Sequence, residues 1–192
     1  ESARRSPEHI AVIQGEERLT YAQLWEQTCG LAAALRTRGI GAGETVALLM
    51  PNVIDFPQAY YAILSLGAIV VPVCTLLTAD EIAYVLRDSG AKLLICHPAL
   101  TAGLDGAARA GIACIDAAAA SSSAGTPVVS REAQDDAVIL YTSGTTGKPK
   151  GAVLTQLNMV MNATVCAFDL FDVRDDDILL CALPLFHSFG QT

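Results

Sequence analysis

The chain has 192 residues, of which 52% are apolar and 17% are charged, and its formal net charge is −8. This composition is sufficient for a buried core and excludes intrinsic disorder as the general state of the chain. The acidic balance also argues against nucleic acid or an anionic membrane surface as a partner, because both attract basic proteins.

The sequence contains no evident targeting segment or membrane span. No stretch reaches the roughly 20 apolar residues of a span, and the opening "ESARRSPEHI" lacks the apolar run of a signal peptide. The six cysteines are scattered without a Cys-x-x-Cys pair, which favours buried thiols in a reducing compartment. We therefore predict a soluble, cytoplasmic protein without integral membrane contact. Because the sequence starts without methionine, we also expect a piece of a longer protein.

The first part of the chain alternates apolar strands with helices. Continuous apolar runs of four to seven residues are typical of strands buried on both faces of a sheet. The predicted strands are "ETVALLM", "AIVVPV", "KLLIC" and "GIACI". Helices are predicted between them, in "VIDFPQAYYAILSLG", "TADEIAYVLRDSG" and, more weakly, over residues 101–110. This alternation predicts an α/β fold with a largely parallel sheet flanked by helices.

Two helix starts carry a capping box, in which the third helical residue reaches back to the N-cap. Thr20 with Gln23 precedes the first long helix, and Thr78 with Glu81 precedes a later one. Gly39 is expected to end the first of these helices.

A low-complexity stretch separates this part from the rest. Residues 117–127, "AAAASSSAGTP", are predicted to be an exposed loop or linker. We divide the chain into an opening α/β unit (1–116), a linker (117–134) and a final segment (135–192). In that segment we expect a helix in "TQLNMVMNATVCAFDLF", an acidic turn at "DVRDDD" and a strand at "ILLCAL". The side of the helix expected to face the core carries Leu157, Val160, Met161, Thr164, Val165 and Phe168.

Residues 140–151, "LYTSGTTGKPKG", form a loop rich in glycine, hydroxyl groups and lysine. A Walker loop is excluded, because Thr142 replaces the first glycine, Pro149 replaces the Ser/Thr after Gly147-Lys148, and "GAVLT" continues like a strand. A plain turn and a phosphate-binding loop both remain open on residue types alone. Backbone N–H groups freed by glycine, hydroxyls and lysine charge are the groups that bind polyphosphate, so we favour the second.

The longer stretch "YTSGTTGKPKGAVLTQLN" resembles the signature loop of the adenylate-forming (AMP-binding) superfamily. The downstream "LPLFHSFG" is similar to that family's aromatic, His-bearing segment, and "GETVALLMPN" and "GAIVVPV" fit its N-terminal region in order. The resemblance covers nearly the whole chain and is greatest to fatty-acyl-CoA synthetases. It implies the N-terminal part of the AMP-binding domain.

The resemblance implies an ATP-dependent ligase that forms carbon–sulfur bonds. Such enzymes join a carboxylic acid to AMP with release of pyrophosphate, and then transfer the acyl group to coenzyme A. ATP, Mg²⁺ and CoA are the implied cofactors and co-substrates, and a fatty acid is the implied acid. The metal ligands remain unknown.

By carry-over from the family motif, Lys150 and His187 are the implied catalytic residues. The implied ATP-binding residues are Thr142, Ser143, Gly144, Thr145, Thr146, Gly147 and Lys150. His187, Phe189 and Gly190 would border the acyl and adenylate pocket, while Lys148 has a supporting role at long range.

Two departures from the family pattern leave alternatives open. Gln156 stands where many members carry histidine, and the family's adenine-binding, magnesium-binding and C-terminal lysine motifs would lie beyond Thr192. We therefore expect the isolated chain to be inactive and its exposed apolar surface to favour homo-oligomers. The alternatives are an adenylate ligase that delivers to a carrier protein, and a non-catalytic folding or dimerisation module.

Overall fold

The computed structural model describes residues 1–117, 128–142, 148–174 and 176–191, with the main chain alone at Phe189. The helices are α1 (Ser2–Arg5), α2 (Tyr21–Thr37), α3 (Asp55–Ser65), α4 (Ala79–Asp88), α5 (Thr101–Ala110) and α6 (Gln156–Thr164). A π-helix (Val165–Leu170) continues α6, and a 3₁₀ turn (Ser188–Gly190) lies near the end. The strands are β1 (Ile10–Gln14), β2 (Glu17–Thr20), β3 (Thr45–Leu49), β4 (Ile69–Pro72), β5 (Leu93–Cys96), β6 (Ala113–Ile115), β7 (Asp136–Thr142) and β8 (Lys150–Thr155).

The larger sheet has the order β6-β5-β3-β4-β7-β8 in the described part of the chain. The pairs from β6 to β7 are parallel, and β8 joins β7 in antiparallel direction at the edge. All five residues of β3 are buried, as expected for a strand covered on both faces. The α/β prediction with a largely parallel sheet is therefore confirmed.

Two apolar clusters cover the two faces of this sheet. Cluster 1 packs α2 and α3 on one face, with Leu35 and Ile63 against Val46. Cluster 2 packs α4 and α5 on the other face, with Ile82 and Leu86 as buried members. Successive strand residues alternate between the clusters, because strand side chains point to opposite faces in turn.

The predicted helix starts are present as capping boxes. Thr20 accepts a hydrogen bond from the backbone N–H of Gln23, and Thr78 does the same for Glu81. Gly39 adopts a φ of +83° just after α2, a conformation that glycine reaches without strain.

A two-stranded hairpin of β1 and β2 near the N-terminus was not predicted. Its turn is Gly15-Glu16, between the paired Gln14 and Glu17, and Gly15 has a φ of +58°. Glycine at the first central position of a two-residue turn is a hairpin signal that the sequence does carry. The hairpin is hard to predict because β1 and β2 are short and alternate only weakly between apolar and polar residues.

The strand predicted at "ILLCAL" is wrong for the described residues. The carbonyl groups of Cys181 and Leu183 accept hydrogen bonds from the side chain of Asn52 instead of from a strand. The prediction of buried thiols holds only for Cys96, because Cys181 is exposed and the other four cysteines are half-buried. A local apolar run cannot reveal whether a neighbouring strand is available to pair with it.

The predicted core face of α6 is also wrong, because all six of its residues are exposed. Val160, Met161 and Phe168 are 61%, 51% and 72% exposed, whereas Met159 packs against cluster 1. A π-helix continues α6 only from Val165, after Val160 and Met161, so the exposure of this face does not come from a change in helical register. Helical periodicity identifies residues that share a face, but it does not identify what covers that face.

None of the helices in the described part of the chain has the length and apolar character needed to cross a membrane.

Candidate active site

The two flanks of the glycine-rich loop lie side by side. Thr142 at the end of β7 pairs with Lys150 at the start of β8, and both residues are exposed. The predicted ATP-binding residues Ser143, Gly144, Thr145, Thr146 and Gly147 lie outside the described residues. The structure thus places a hydroxyl and an ammonium group opposite each other on neighbouring strands.

Strand alternation assigns Thr142 and Lys150 to the cluster 1 face of the sheet. Leu140 and Leu154, which are two and four residues away from them, pack against cluster 1. Tyr141, between Leu140 and Thr142, packs against cluster 2 on the opposite face. Directly opposed residues of an antiparallel pair share a face, so Thr142 and Lys150 point to the same side.

The two lysines of the loop have different surroundings. The Nζ atom of Lys148 lies 6.0 Å from the centre of the Tyr84 ring, at the outer limit of a cation–π contact. Lys150 belongs to none of the ion pairs found among the described residues. Its ammonium group is therefore available to an anion on the cluster 1 side.

The His-bearing segment folds as a tight turn. The backbone N–H of His187 donates to the carbonyl of Pro184 at 3.0 Å, and that of Gly190 donates to His187 at 2.9 Å. A Cβ atom at Gly190 would collide with the carbonyl of Pro184, so the turn requires glycine there. The exposed imidazole of His187 lies 3.5 Å from the hydroxyl of Ser188.

Asn52 holds this segment through its side-chain amide. Its Nδ2 atom donates to the carbonyl of Leu183 at 2.8 Å, and its Oδ1 atom accepts from the N–H of Leu185 at 2.8 Å. Leu185 in turn packs against cluster 1. The segment therefore lies on the same face of the sheet as Thr142 and Lys150.

A second contact involves a buried tyrosine. The Tyr60 hydroxyl donates to Oε1 of Gln191 at 3.0 Å, and the Gln191 amide donates to the carbonyl of Leu185 at 2.9 Å. Burial raises the pKa of Tyr60, so its hydroxyl keeps its proton at neutral pH.

The sequence interpretation missed Asn52, Tyr60 and Gln191. One signal was present: Asn52 follows the carboxyl end of β3, and β7, which runs parallel to it in the same sheet, ends at Thr142. Side chains beyond the carboxyl ends of parallel strands collect at one edge, where α/β proteins bind ligands.

A cavity of about 380 Å³ lies between α3, α6 and the His-bearing segment. Its walls are apolar and aromatic side chains together with the side chains of Gln156 and Gln191. The lining residues are Phe56, Pro57, Tyr60, Tyr61, Leu64, Ala137, Gln156, Met159, Val160, Ala163, Leu185, Gly190 and Gln191. Within the described ranges, no three His, Cys, Asp or Glu side chains are grouped as a metal site.

The AMP-binding enzyme family matches residues 1–192, and the chain belongs to this family. Its relatives are acyl-CoA ligases.

The chain is 38% identical over 187 residues to the long-chain-fatty-acid–CoA ligase FadD13 of Mycobacterium tuberculosis, covering 91% of this chain and 37% of that protein. It is 35% identical over 189 residues to the 2-succinylbenzoate–CoA ligase of Bacillus licheniformis, covering 98% and 39%. The chain thus spans less than two fifths of the length of these relatives.

Among solved structures, the chain is similar to o-succinylbenzoate-CoA synthetase from Bacillus subtilis in complex with its acyl-adenylate intermediate. The TM-score is 0.88 at 30% identity, and the match covers 98% of this chain and 49% of that chain. The chain also covers 50% of the N-terminal domain of FACL13 from Mycobacterium tuberculosis, at a TM-score of 0.86 and 35% identity. The fold of this chain is therefore that of a part of the N-terminal domain of adenylate-forming enzymes.

Proposed function

We propose that the protein containing this chain is an ATP-dependent acid–CoA ligase. The observation that carries the proposal is the pairing of Thr142 with Lys150 on the sheet face that also holds the His187 segment. Membership of the AMP-binding enzyme family and the acid–CoA ligase relatives support the same reaction class.

The first step would join the carboxylate of the acid to the α-phosphate of ATP and release pyrophosphate. Lys150 would neutralise charge on the phosphates, the Thr142 hydroxyl would donate to a phosphate oxygen, and residues 143–147 would supply backbone donors. Magnesium would supply further charge neutralisation, and no described residue is assigned to it. The second step would transfer the acyl group to the thiol of CoA.

His187, Phe189 and Gly190 would border the acyl and adenylate pocket. The close approach of Gly190 to Pro184 and the amide contacts of Asn52 fix the path of this turn. We place His187 beside the reacting carboxylate, where its ring N–H could donate to a carboxylate or phosphate oxygen.

We further propose that the acid is a fatty acid. The apolar cavity beside Leu185 and Gly190 supports an acid with an uncharged body, because no charged side chain is among its lining residues. The relatives act on acids as different as long-chain fatty acids and 2-succinylbenzoate, so their names do not select between these classes.

The proposal is tested on the full-length protein with ATP, Mg²⁺, CoA and an acid panel of hexadecanoate, octanoate and 2-succinylbenzoate. We expect pyrophosphate release and thioester formation, fastest with a fatty acid. Absence of pyrophosphate with every acid would refute the ligase proposal. Preference for succinylbenzoate would refute only the substrate class. Adenylate formed without a thioester would instead point to a carrier-protein acceptor.

A further inference from the structure

The last residue of α4 contacts the flank of the glycine-rich loop. Asp88 accepts a hydrogen bond from the Tyr141 hydroxyl at 2.7 Å through its Oδ2 atom. Its Oδ1 atom lies 3.4 Å from the hydroxyl of Tyr84, which also donates to the carbonyl of Pro149 at 3.2 Å. One carboxylate and two tyrosines thus connect the helix to both sides of the loop.

The two residues that α4 contacts, Tyr141 and Pro149, are direct neighbours in sequence of the two polar site residues. Tyr141 immediately precedes Thr142 on β7, and Pro149 immediately precedes Lys150 on β8. Tyr141 points to the cluster 2 face, where α4 lies, whereas Thr142 and Lys150 point to the cluster 1 face. Helix α4 therefore restrains both strand ends from the cluster 2 face. Among the described residues, it does not contact the cluster 1 face, which would meet the nucleotide.

Packing between the strands supports this restraint. Gly151 pairs with Tyr141, and a Cβ atom at Gly151 would lie 3.2 Å from Cζ of the Tyr141 ring and 2.8 Å from Cγ2 of Ile139. Glycine at this position allows β8 to lie directly over the tyrosine ring.

The position of Asp88 is unfavourable for the helix itself. A carboxylate in the last turn is repelled by the negative end of the helix dipole, and Arg87 in the same turn donates to the carbonyl of Arg109 rather than to Asp88. Burial and the hydrogen bond to Asp88 raise the pKa of Tyr141, so this hydroxyl remains a donor at neutral pH. The contacts of Asp88 with the tyrosines, and not helix stability, explain its place.

We infer that Asp88, Tyr84 and Tyr141 are positioning residues. They set the spacing between Thr142 and Lys150 and thereby place both side chains to bind the ATP phosphates. The inference rests on the proposed function. These three residues lie on the far side of the sheet from the proposed substrates, so they act through the residues they hold.

The test uses the full-length protein with Tyr141→Phe, Asp88→Asn and the double variant. Adenylate formation is measured against ATP concentration. The second half-reaction, acyl transfer to CoA, is measured separately from synthetic acyl-adenylate. We expect kcat/KM for ATP to fall about tenfold in each single variant, the loss of one hydrogen bond to a charged group. Tyr141→Phe removes the donor of this hydrogen bond and Asp88→Asn removes the charge of its acceptor. Because both changes weaken the same contact, we expect the double variant to lose little more than Tyr141→Phe alone.

The KM for the acid and the rate of acyl transfer to CoA should stay within twofold of wild type, because neither involves the ATP phosphates. Matched controls are Tyr21→Phe on α2 and Asp105→Asn on α5, which remove the same chemical groups elsewhere and should leave both half-reactions unchanged. Equal losses in both half-reactions would indicate general structural damage and overturn the inference. Unchanged kcat/KM for ATP in an active enzyme would also overturn it. An inactive wild type would refute the proposed function instead.

A second measurement does not depend on activity. In the 192-residue chain, amide hydrogen exchange at residues 141–142 and 150–151 should accelerate in Tyr141→Phe and Asp88→Asn relative to the two controls. Unchanged exchange at these strand ends would show that the contacts do not restrain them and would overturn the inference.

Discussion

At the scale of single residues, two lysines two positions apart in one motif have different environments. Lys148 lies near the ring of Tyr84 on α4, whereas Lys150 is exposed opposite Thr142 on the other face of the sheet. Identical charges can therefore contribute unequally to phosphate binding, because an electrostatic contact falls off with distance and with exposure to solvent.

Substitution of Lys150 by alanine should slow adenylate formation in the full-length protein by about 100-fold, the usual loss when a donor to developing transition-state charge is removed. The KM for the acid should change far less. Lys148→Ala removes the same charge and serves as the matched control, with a loss of less than about fivefold expected. Stopped-flow measurement of pyrophosphate release gives both rates, and equal losses would contradict the role assigned to Lys150.

Asn52 provides a prediction for the 192-residue chain itself. Because the N–H of Leu185 donates to the Asn52 side chain, Asn52→Ala should reduce the exchange protection of the Leu185 amide about fivefold to tenfold. Asn162→Ala, on the exposed side of α6, is the control and should leave that protection unchanged. NMR-detected hydrogen exchange measures both, and full protection in Asn52→Ala would show that other contacts fix the segment.

At the scale of elements, the two predicted capping boxes are chemically different. The box at α2 closes with the amide of Gln23, whereas the box at α4 closes with the carboxylate of Glu81. Hydrogen bonds from the N–H and hydroxyl of Thr78 lower the pKa of Glu81 below its ordinary value of 4.5. The native state therefore binds a proton at Glu81 less readily than the unfolded chain does.

The stabilisation from Glu81 should consequently depend on pH. It is fully present above the unfolded pKa near 4.5 and is lost as the pH falls through the lower native pKa. The cost of Glu81→Ala in free energy of unfolding should shrink between about pH 5 and pH 3, whereas that of Gln23→Ala should stay constant. Urea titrations across this range measure both, and parallel pH dependence of the two variants would contradict the assignment.

At the scale of the whole molecule, buried and exposed apolar surface are unevenly distributed. The sheet lies between the two clusters, but many large apolar side chains between α6 and Leu183 are exposed. Its members are Leu157, Val160, Met161, Val165, Phe168, Leu170, Phe171, Ile178, Leu179, Leu180 and Leu183. Exposed apolar side chains in this number favour association with another surface.

We predict that the 192-residue chain self-associates through this surface. Sedimentation velocity should show oligomers at high micromolar concentration, and the double substitution Val160→Ser and Phe168→Ser should shift the population towards monomer. Leu104→Ser, at a half-exposed position on α5, is the control and should not change the oligomer fraction. A monomeric wild-type chain at these concentrations would contradict the prediction.

Much of the fold was predictable because its signals are local. A capping box such as Thr20 with Gln23 spans four residues, and the apolar run of β3 is contained in five, so neither depends on the rest of the chain. The glycine-rich loop is also a local signal, and its resemblance to a family motif named Thr142 and Lys150 as candidate site residues before any contact was known.

The sequence by itself therefore determined the α/β class, the two predicted capping boxes and the residue types of the loop. Only the tertiary structure decided that Asn52 holds a segment more than 125 residues away and that Asp88 bonds Tyr141 across 53 positions. It also decided that "ILLCAL" pairs with no strand among the described residues and that one face of α6 lies in solvent. These outcomes depend on which surfaces meet after the chain has folded, and a contact between distant residues leaves no periodic or spacing signal in either of the segments that form it.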